Sequence, residues 1–349
     1  MRARRLCAAS LKIDPGDPKL ARQLHPVIAR RRGRPMEHRI TVFAGPASSQ
    51  LGTAVCNALQ VAPGLYECRR FPDGEAQIDI HESVRGRDVY LLQSTSPPVD
   101  QHLMELLLLA DACRRAGAAR LTAIVPYFGY ARQDRRSGRR SLGARVAAGV
   151  LDAGGFDRVM LVDAHTPAIE GFFEMPLDHL TAVPLLAGAV KRMIGEKTTV
   201  VAPDLGAVKL ARAYSNHLHV PMAFVHKTRL NGEAVEAHAV IGDVRGRLPL
   251  IVDDMLSTGA TIEAAVGALR TAGAVEPMSV AVTHALLVGR AREILERLPL
   301  ANIVVTDSVS MDPAAPPPHP DICSVAPLLT TAIQRNHDDE SLADLRASV

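Results

Sequence analysis

A short apolar run ends in two carboxylates and then passes at once into hydroxyls and a glycine: Ile251-Val252-Asp253-Asp254-Met255-Leu256-Ser257-Thr258-Gly259-Ala260-Thr261-Ile262. In open parallel sheets, ligands gather beyond the carboxyl ends of the strands, where the free N–H groups of the next helix favour anions. The stretch therefore predicts a strand, a phosphate cradle over Ser257, Thr258, Gly259, Ala260 and Thr261, and a helix running on from Ile262. Asp253 and Asp254 repel phosphate themselves. They can accept the hydroxyls of a sugar joined to that phosphate, or share a Mg²⁺ with it. The plain alternative is a helix N-cap with acidic neighbours.

Four further groups carry chemistry. In "YARQD" (130–134) Arg132 offers a rigid donor fork suited to phosphate oxygens and Gln133 a neutral amide donor, unless the stretch is only a charged helix start. His165 stands two residues after Asp163 at an expected strand end, so the alternation of an extended chain would aim both side chains to one side. Asp204 opens a second turn, "DLGAVK", ahead of a helix. In "HKTR" (226–229) the same alternation lets Lys227 and Arg229 converge on one phosphate chain from a closing loop, against the plain reading of a solvated charge cluster. By contrast, Phe71-Pro72-Asp73-Gly74-Glu75 reads on its own as a turn. No GxxxxGK[ST] occurs, so a nucleotide would not sit on that kind of phosphate loop.

Parallel strands joined by crossover helices would bring these groups together, and the sequence has that rhythm. Strands are expected at "ITVFAG", "DVYLLQS", "LTAIVPYF" and "RVMLVDA", with a helix at "LMELLLLADACRRAG" ending at Gly117. A second set follows: "TTVVAPD", "MAFVHK", "AVIGDV", "PLIVDDM", "PMSVAVTHA" and "NIVVTD", with helices at "GAVKLARAYSNHL" and "TIEAAVGALRTAG". The expected organisation is an extension over 1–35, an α/β half over 36–180 and a second over 181–310. A Pro-rich connector (311–321) and a C-terminal helix over 322–345 follow, the helix packing back on the first half. At 349 residues the chain suits about two domains.

Composition excludes several classes. Hydrophobic residues make up 47% and charged ones 22%, as in a soluble α/β protein, and no apolar run is long enough to cross a membrane. Five scattered cysteines (Cys7, Cys56, Cys68, Cys113, Cys323), without a CxxC, read as reduced thiols rather than a disulfide frame or zinc site. Residues 1–35 hold ten Lys/Arg and two Asp, net +8, in a chain of net +3, so the remainder is acidic at −5. The basic pI thus belongs to the extension, which reads as a disordered tail or an upstream start; a targeting peptide or a nucleic-acid arm is the alternative. A cytoplasmic protein without nucleic-acid or membrane partners is expected.

"VDDMLSTGATI" resembles the ribose-5-phosphate loop of the type I phosphoribosyltransferase fold. With "FPDGE", "LMELLLLADACRRAGA", "PYFGYARQD", "VDAH", "EGFF", "APDLGAVKLA", "HKTRL" and "SVAPLLTTAI" in that order, the chain from about Ile40 to Leu345 resembles the ribose-phosphate diphosphokinase (PRPP synthetase) family. The resemblance implies two similar doubly wound parallel-sheet domains. It also implies transfer of the β,γ-diphosphoryl group of MgATP to the C1 hydroxyl of ribose 5-phosphate, giving PRPP and AMP.

By the same resemblance, Phe71, Asp73, Glu75, Arg132, Gln133 and His165 bind ATP. Asp253, Asp254 and Ser257 through Thr261 bind ribose 5-phosphate, and Asp204, Leu205, Gly206 and Ala207 bind diphosphate. His165, Asp204 and Asp163 contact Mg²⁺, and Lys227 and Arg229 are catalytic. A homo-oligomer, hexameric or built from dimers, is implied as well.

Departures from the family pattern are Ala207 in place of a second glycine, Asp100 where Asn is expected, and "THALLVGRA" (283–291) for a more Gly-rich stretch. A salvage or biosynthetic phosphoribosyltransferase would share the loop but has no reason to carry "YARQD" or "FPDGE". A non-catalytic regulatory homologue would be expected to have lost some of Lys227, Arg229, Asp253, Asp254 and His165, all of which are present.

Overall fold

In the computed structural model, which describes residues 39–230, 235–311, 318 and 320–347, two parallel sheets carry the chain. The first half runs β1 (Ile40–Ala44), α1 (Ser49–Leu59), β2 (Tyr66–Arg70), β3 (Ala76–Ile80), β4 (Asp88–Leu92), α2 (Val99–Arg115), β5 (Arg120–Val125), α3 (Gly143–Ala153), β6 (Arg158–Val162) and β7 (Leu177–Leu180). Its sheet has the order β1-β4-β5-β6-β7, parallel throughout. β4 is buried at all five positions and β5 and β6 at all but their first, as expected for strands covered on both faces. The chain turns back after α2 at Gly117, whose φ of +91° lies in the left-handed region.

The second half runs α4 (Val183–Val190), β8 (Thr198–Ala202), α5 (Val208–Leu218), β9 (Met222–Leu230), β10 (Val235–Ile241), β11 (Leu248–Leu256), α6 (Ala260–Thr271), β12 (Met278–Ala285), α7 (Ala291–Arg297), β13 (Leu300–Thr306), β14 (Pro320–Cys323) and α8 (Ala326–His337). The sheet order is β10-β9-β8-β11-β12-β13-β14, with only the β9–β10 pair antiparallel. One core joins the halves: Val42, Leu92, Ile124 and Met160 of the first sheet and Val200, Val252, Ala281 and Val304 of the second pack in a single cluster with α4 and α8. The described residues from Arg39 onward form one compact unit.

The C-terminal span differs from the expected helix over 322–345. Residues 320–323 are an edge strand of the second sheet, which Pro320 can begin because an edge position spares its missing N–H. The helix is α8, lying against α1. Asn336 Nδ2 donates to Tyr90 Oη at 2.9 Å and His337 Nδ1 sits 2.8 Å from Asp88 Oδ2. A last short strap follows, in which Thr181 N donates to Leu345 O and Ala347 N to His179 O, both at 2.9 Å.

Two other elements depart from the sequence reading. "FPDGE" is the turn of an unforeseen β2–β3 hairpin that packs on α2, where Arg70 pairs with the buried Glu105. The segment carrying Lys227 and Arg229 is the outer end of β9, paired with β10 and placing Lys227 opposite His238 and Arg229 opposite Glu236. The expected closing loop is a hairpin backbone there. The side chains of both residues, and the extension over 1–35 with Cys7, lie outside the described residues.

Candidate active site

The carboxyl ends of β5, β6, β8 and β11 open on one cavity of about 850 Å³, lined from both halves by Arg132, Asp163, His165, Asp204–Ala207, Asp253, Asp254, Ser257–Gly259 and Thr261. β11 delivers the acids and ends at Leu256; the chain then crosses Ser257–Gly259 into α6. Gly259 adopts φ +83° at the N-cap, and a Cβ there would meet Ile294 Cγ2 at 3.3 Å. Glycine accepts that conformation without the steric cost that other residues bear. The turn is buttressed from behind by "ALLVG": Leu286 N and Leu287 N donate to Leu256 O, and Val288 N donates to Ser257 O at 3.0 Å. Leu287 holds φ +49° where a glycine would rest more easily, so the departure from a Gly-rich stretch leaves the buttress in place.

Electrostatics concentrate on the acidic pair. Burial first, and the neighbouring Asp254 charge second, push the Asp253 carboxyl well above the usual carboxylate range. For Asp254 burial acts in the same upward direction, but the hydrogen bond and charge of His165 outweigh it and leave its pKa below that range. His165 Nδ1 lies 2.7 Å from Asp254 Oδ2, a contact between the two sheets across 89 residues of sequence. That hydrogen bond raises the imidazole pKa against the opposing effect of burial.

Asp163 lines the same cavity as His165 but is largely buried. β6 stops at Val162, and Asp163 takes φ +37°, which turns its side chain inward. Its Oδ2 accepts from Ala182 N at 3.0 Å and from Thr283 Oγ1 at 2.7 Å, which makes it a brace between the halves. Asp204 closes its own turn: Oδ1 accepts from Gly206 N at 2.8 Å and from Ala207 N at 3.2 Å, engaging two amides expected to meet diphosphate.

The "YARQD" turn is set by close approach. A Cβ on Gly129 would fall 2.6 Å from Thr95 O, and Gly129 N donates to Thr95 Oγ1 at 2.7 Å. Asp100, where Asn was expected, accepts from the Tyr130 hydroxyl and so ties α2 to the turn. Arg132 reaches the cavity, whereas Gln133 faces an adjoining hollow of about 590 Å³ that also meets Arg132 and His165. Ala260, first residue of α6, is exposed and does not line the cavity.

Phe71, Asp73 and Glu75 do not line the cavity either, and Phe71 is 49% exposed at the hairpin tip. The sequence reading also passed over Lys209, Leu210, Ala213 and His217, which form one side of α5 along the cavity. Their spacing of about four was the available signal.

Among the described residues no three His, Cys, Asp or Glu side chains come together as a metal cage. The donor set still fits Mg²⁺, which commonly takes one or two carboxylates and completes its shell with water and substrate phosphate oxygens. The charge crowding that raises Asp253, to which Asp204 contributes, is what such a cation relieves.

Fold and site define an α/β protein whose two sheets open at their strands' carboxyl ends on one shared cavity. A model of the N-terminal domain of ribose phosphate pyrophosphokinase matches residues 40–155, and a phosphoribosyl transferase domain model matches residues 182–312. The chain is 41% identical to a ribose-phosphate pyrophosphokinase of Rhodopirellula baltica over 88% of this chain and 98% of that protein. It is 40% identical to one of Staphylococcus saprophyticus over 88% and 96%. The crystal structure of phosphoribosylpyrophosphate synthetase from Mycobacterium smegmatis matches with a TM-score of 0.81 at 38% identity, covering 86% of this chain and 99% of that one. The chain belongs to the ribose-phosphate pyrophosphokinase family.

Proposed function

We propose that the protein is a ribose-phosphate diphosphokinase. The C1 hydroxyl oxygen of ribose 5-phosphate bonds to the β-phosphorus of ATP, the bond from that phosphorus to the α,β-bridging oxygen breaks, and AMP leaves with the oxygen. The hydroxyl proton is released. The observation that carries this reading is the single cavity joining the acidic pair and phosphate turn of one half to Arg132 and His165 of the other.

The Ser257–Thr261 turn holds the 5-phosphate, and Asp253 and Asp254 take the ribose hydroxyls. Arg132 and His165 face the triphosphate. Lys227 and Arg229 neutralise charge on the diphosphoryl group in flight, the dominant need of a loose phosphoryl transfer. Asp204, His165 and Asp163 would hold Mg²⁺, which would supply further charge neutralisation. Asp204, Leu205, Gly206 and Ala207 receive the diphosphate, for which the Gly206 and Ala207 amides part from Asp204 Oδ1. No dedicated base is required, because positioning and neutralisation outweigh early deprotonation.

Phe71, Asp73 and Glu75 are assigned to adenine in a second copy of this chain. Their exposure on a hairpin tip, away from their own cavity, supports that assignment and a homo-oligomer. No helix among the described residues is long and apolar enough to cross a membrane, which agrees with a cytoplasmic enzyme. Incubation with Mg²⁺, ATP and ribose 5-phosphate should yield equal amounts of AMP and PRPP. AMP release without ribose 5-phosphate would sink the assignment.

A further inference from the structure

His165 and Asp254 come from different sheets, so their 2.7 Å contact depends on how the end of β6 is fixed against the end of β11. β12 lies beside β11, with His284 in register with Met255 just past the acidic pair. From there the His284 ring, only 2% exposed, reaches across to the first sheet. Its Nε2 stands 3.1 Å from Val162 O and 3.2 Å from Asp163 O, and its Nδ1 stands 2.8 Å from Ser308 Oγ.

Carbonyl oxygens only accept, so Nε2 carries the hydrogen and Nδ1 accepts from the Ser308 hydroxyl. Ser308 Oγ also lies 3.0 Å from Thr283 O, but that carbonyl already accepts from Thr306 Oγ1 at 2.6 Å, so the single Ser308 proton can turn to the ring. Tyr127 packs edge-on to the imidazole at 5.1 Å. Next to it Thr283 donates to Asp163 Oδ2 at 2.7 Å. Both contacts fall on the two residues whose backbone turns the chain toward His165, one of them in the left-handed region that a non-glycine residue holds only when its surroundings fix it. A polar ring placed this deep costs stability unless both nitrogens are paired, and here one nitrogen is paired to each half.

We propose that His284, aided by Thr283, is a positioning residue: it clamps the Val162–Asp163 backbone to the second sheet and thereby sets where the His165 imidazole stands against Asp254 and the phosphate turn. The inference rests on the assignment of His165 to the transfer site. The hydrogen bonds and ring contact of His284 are with backbone carbonyls, Ser308 and Tyr127, and its charge also bears on Asp254.

Two substitutions separate the clamp from mere core filling. His284→Gln can keep a donor near the Nε2 position, whereas His284→Asn keeps a polar group near Nδ1 but is too short to reach Val162 and Asp163. His284→Asn should lower kcat by about tenfold to a hundredfold, the range expected for a misplacement of up to about 1 Å. KM for ribose 5-phosphate should stay within about twofold, and His284→Gln should keep kcat within about threefold. In a His165→Ala background, His284→Asn should change kcat by less than about twofold, because coupled residues are not additive. The ¹⁵N-imidazole signals of His165 in substrate-free protein should move toward those of free histidine in His284→Asn and stay at wild type in His284→Gln.

A folded His284→Asn protein with wild-type kcat and unmoved His165 signals overturns the clamp. So does an equal loss in both variants that tracks the fraction folded. Should His284→Asn fail to fold, Thr283→Val removes the neighbouring donor and should show the same selective fall in kcat. Wild-type protein that makes no AMP and PRPP would refute the function instead, and the imidazole signals would still test the clamp.

Discussion

Replacing Gly259 separates two ways in which the phosphate turn could depend on glycine. Its φ of +83° is a conformation that costs an L-residue about 1–2 kcal/mol, and a Cβ would stand 3.3 Å from Ile294 Cγ2 and 3.5 Å from Ala291 O, tight but not prohibitive. Alanine also narrows the unfolded ensemble, which returns about 0.4–1 kcal/mol. Gly259→Ala should therefore destabilise the folded protein by about 1 kcal/mol, a melting shift of about 2–4 °C or less for a chain of this size. If instead the turn relaxes to relieve φ, its amides leave the phosphate, and each 1.4 kcal/mol lost raises KM for ribose 5-phosphate about tenfold.

Gly259→Asn has the same Cβ but tolerates the left-handed region better. Backbone conformation as the cause predicts that Asn is milder than Ala in both melting temperature and KM; crowding against Ile294 predicts the reverse. Scanning fluorimetry and steady-state kinetics on the two variants read this directly. Unchanged melting and unchanged KM in Gly259→Ala would refute the reading of this turn as a conformation-dependent cradle.

Lys227→Ala should fold normally and lose about 10³ to 10⁵ in kcat, the range of a transition-state cation in phosphoryl transfer; single-turnover kinetics with circular dichroism check both parts. Because Asp254 raises the His165 pKa, the stability from their pair is complete below about pH 6.5 and fades as pH rises through the raised value. On the acid side the pair is lost as pH falls through the lowered Asp254 value. Asp254→Asn should return His165 toward an ordinary histidine titration in metal-free protein, measured by NMR; an unmoved titration would contradict the assigned cause. Phe71→Ala and His165→Ala proteins should each be strongly impaired but still measurable alone, and regain part of the lost activity when co-assembled, because a mixed pair rebuilds one intact site. No recovery on mixing would argue against adenine contacts from a second copy.

Much of the fold was legible because buried parallel strands are written as continuous Val/Ile/Leu runs: "DVYLL" and "RVMLV" became β4 and β6 with boundaries within two residues. The hairpin β2–β3 was not, since "YECRR" and "AQIDI" mix charge into strands that meet only one neighbour and the face of α2. β14 hid inside a Pro-rich segment because an edge strand can start at proline. In the site, the turn after Asp254 was readable because strand, acids, hydroxyls and glycine lie in unbroken local order. That Asp163 reaches the cavity was readable from the strand end, but its hydrogen bonds to Ala182 and Thr283 were not, because the chain leaves the extended region at that residue.

The sequence alone determined the chemistry available, namely the two acids, the hydroxyl-rich turn, the histidine and the arginine, along with the strand ends on which they stand. Only the tertiary structure decided which of them meet. The His165–Asp254 contact and the brace of Asp163 to Thr283 depend on how two sheets dock through one core. Local sequence does not encode that docking, because it is the sum of many side-chain contacts between segments far apart in the chain.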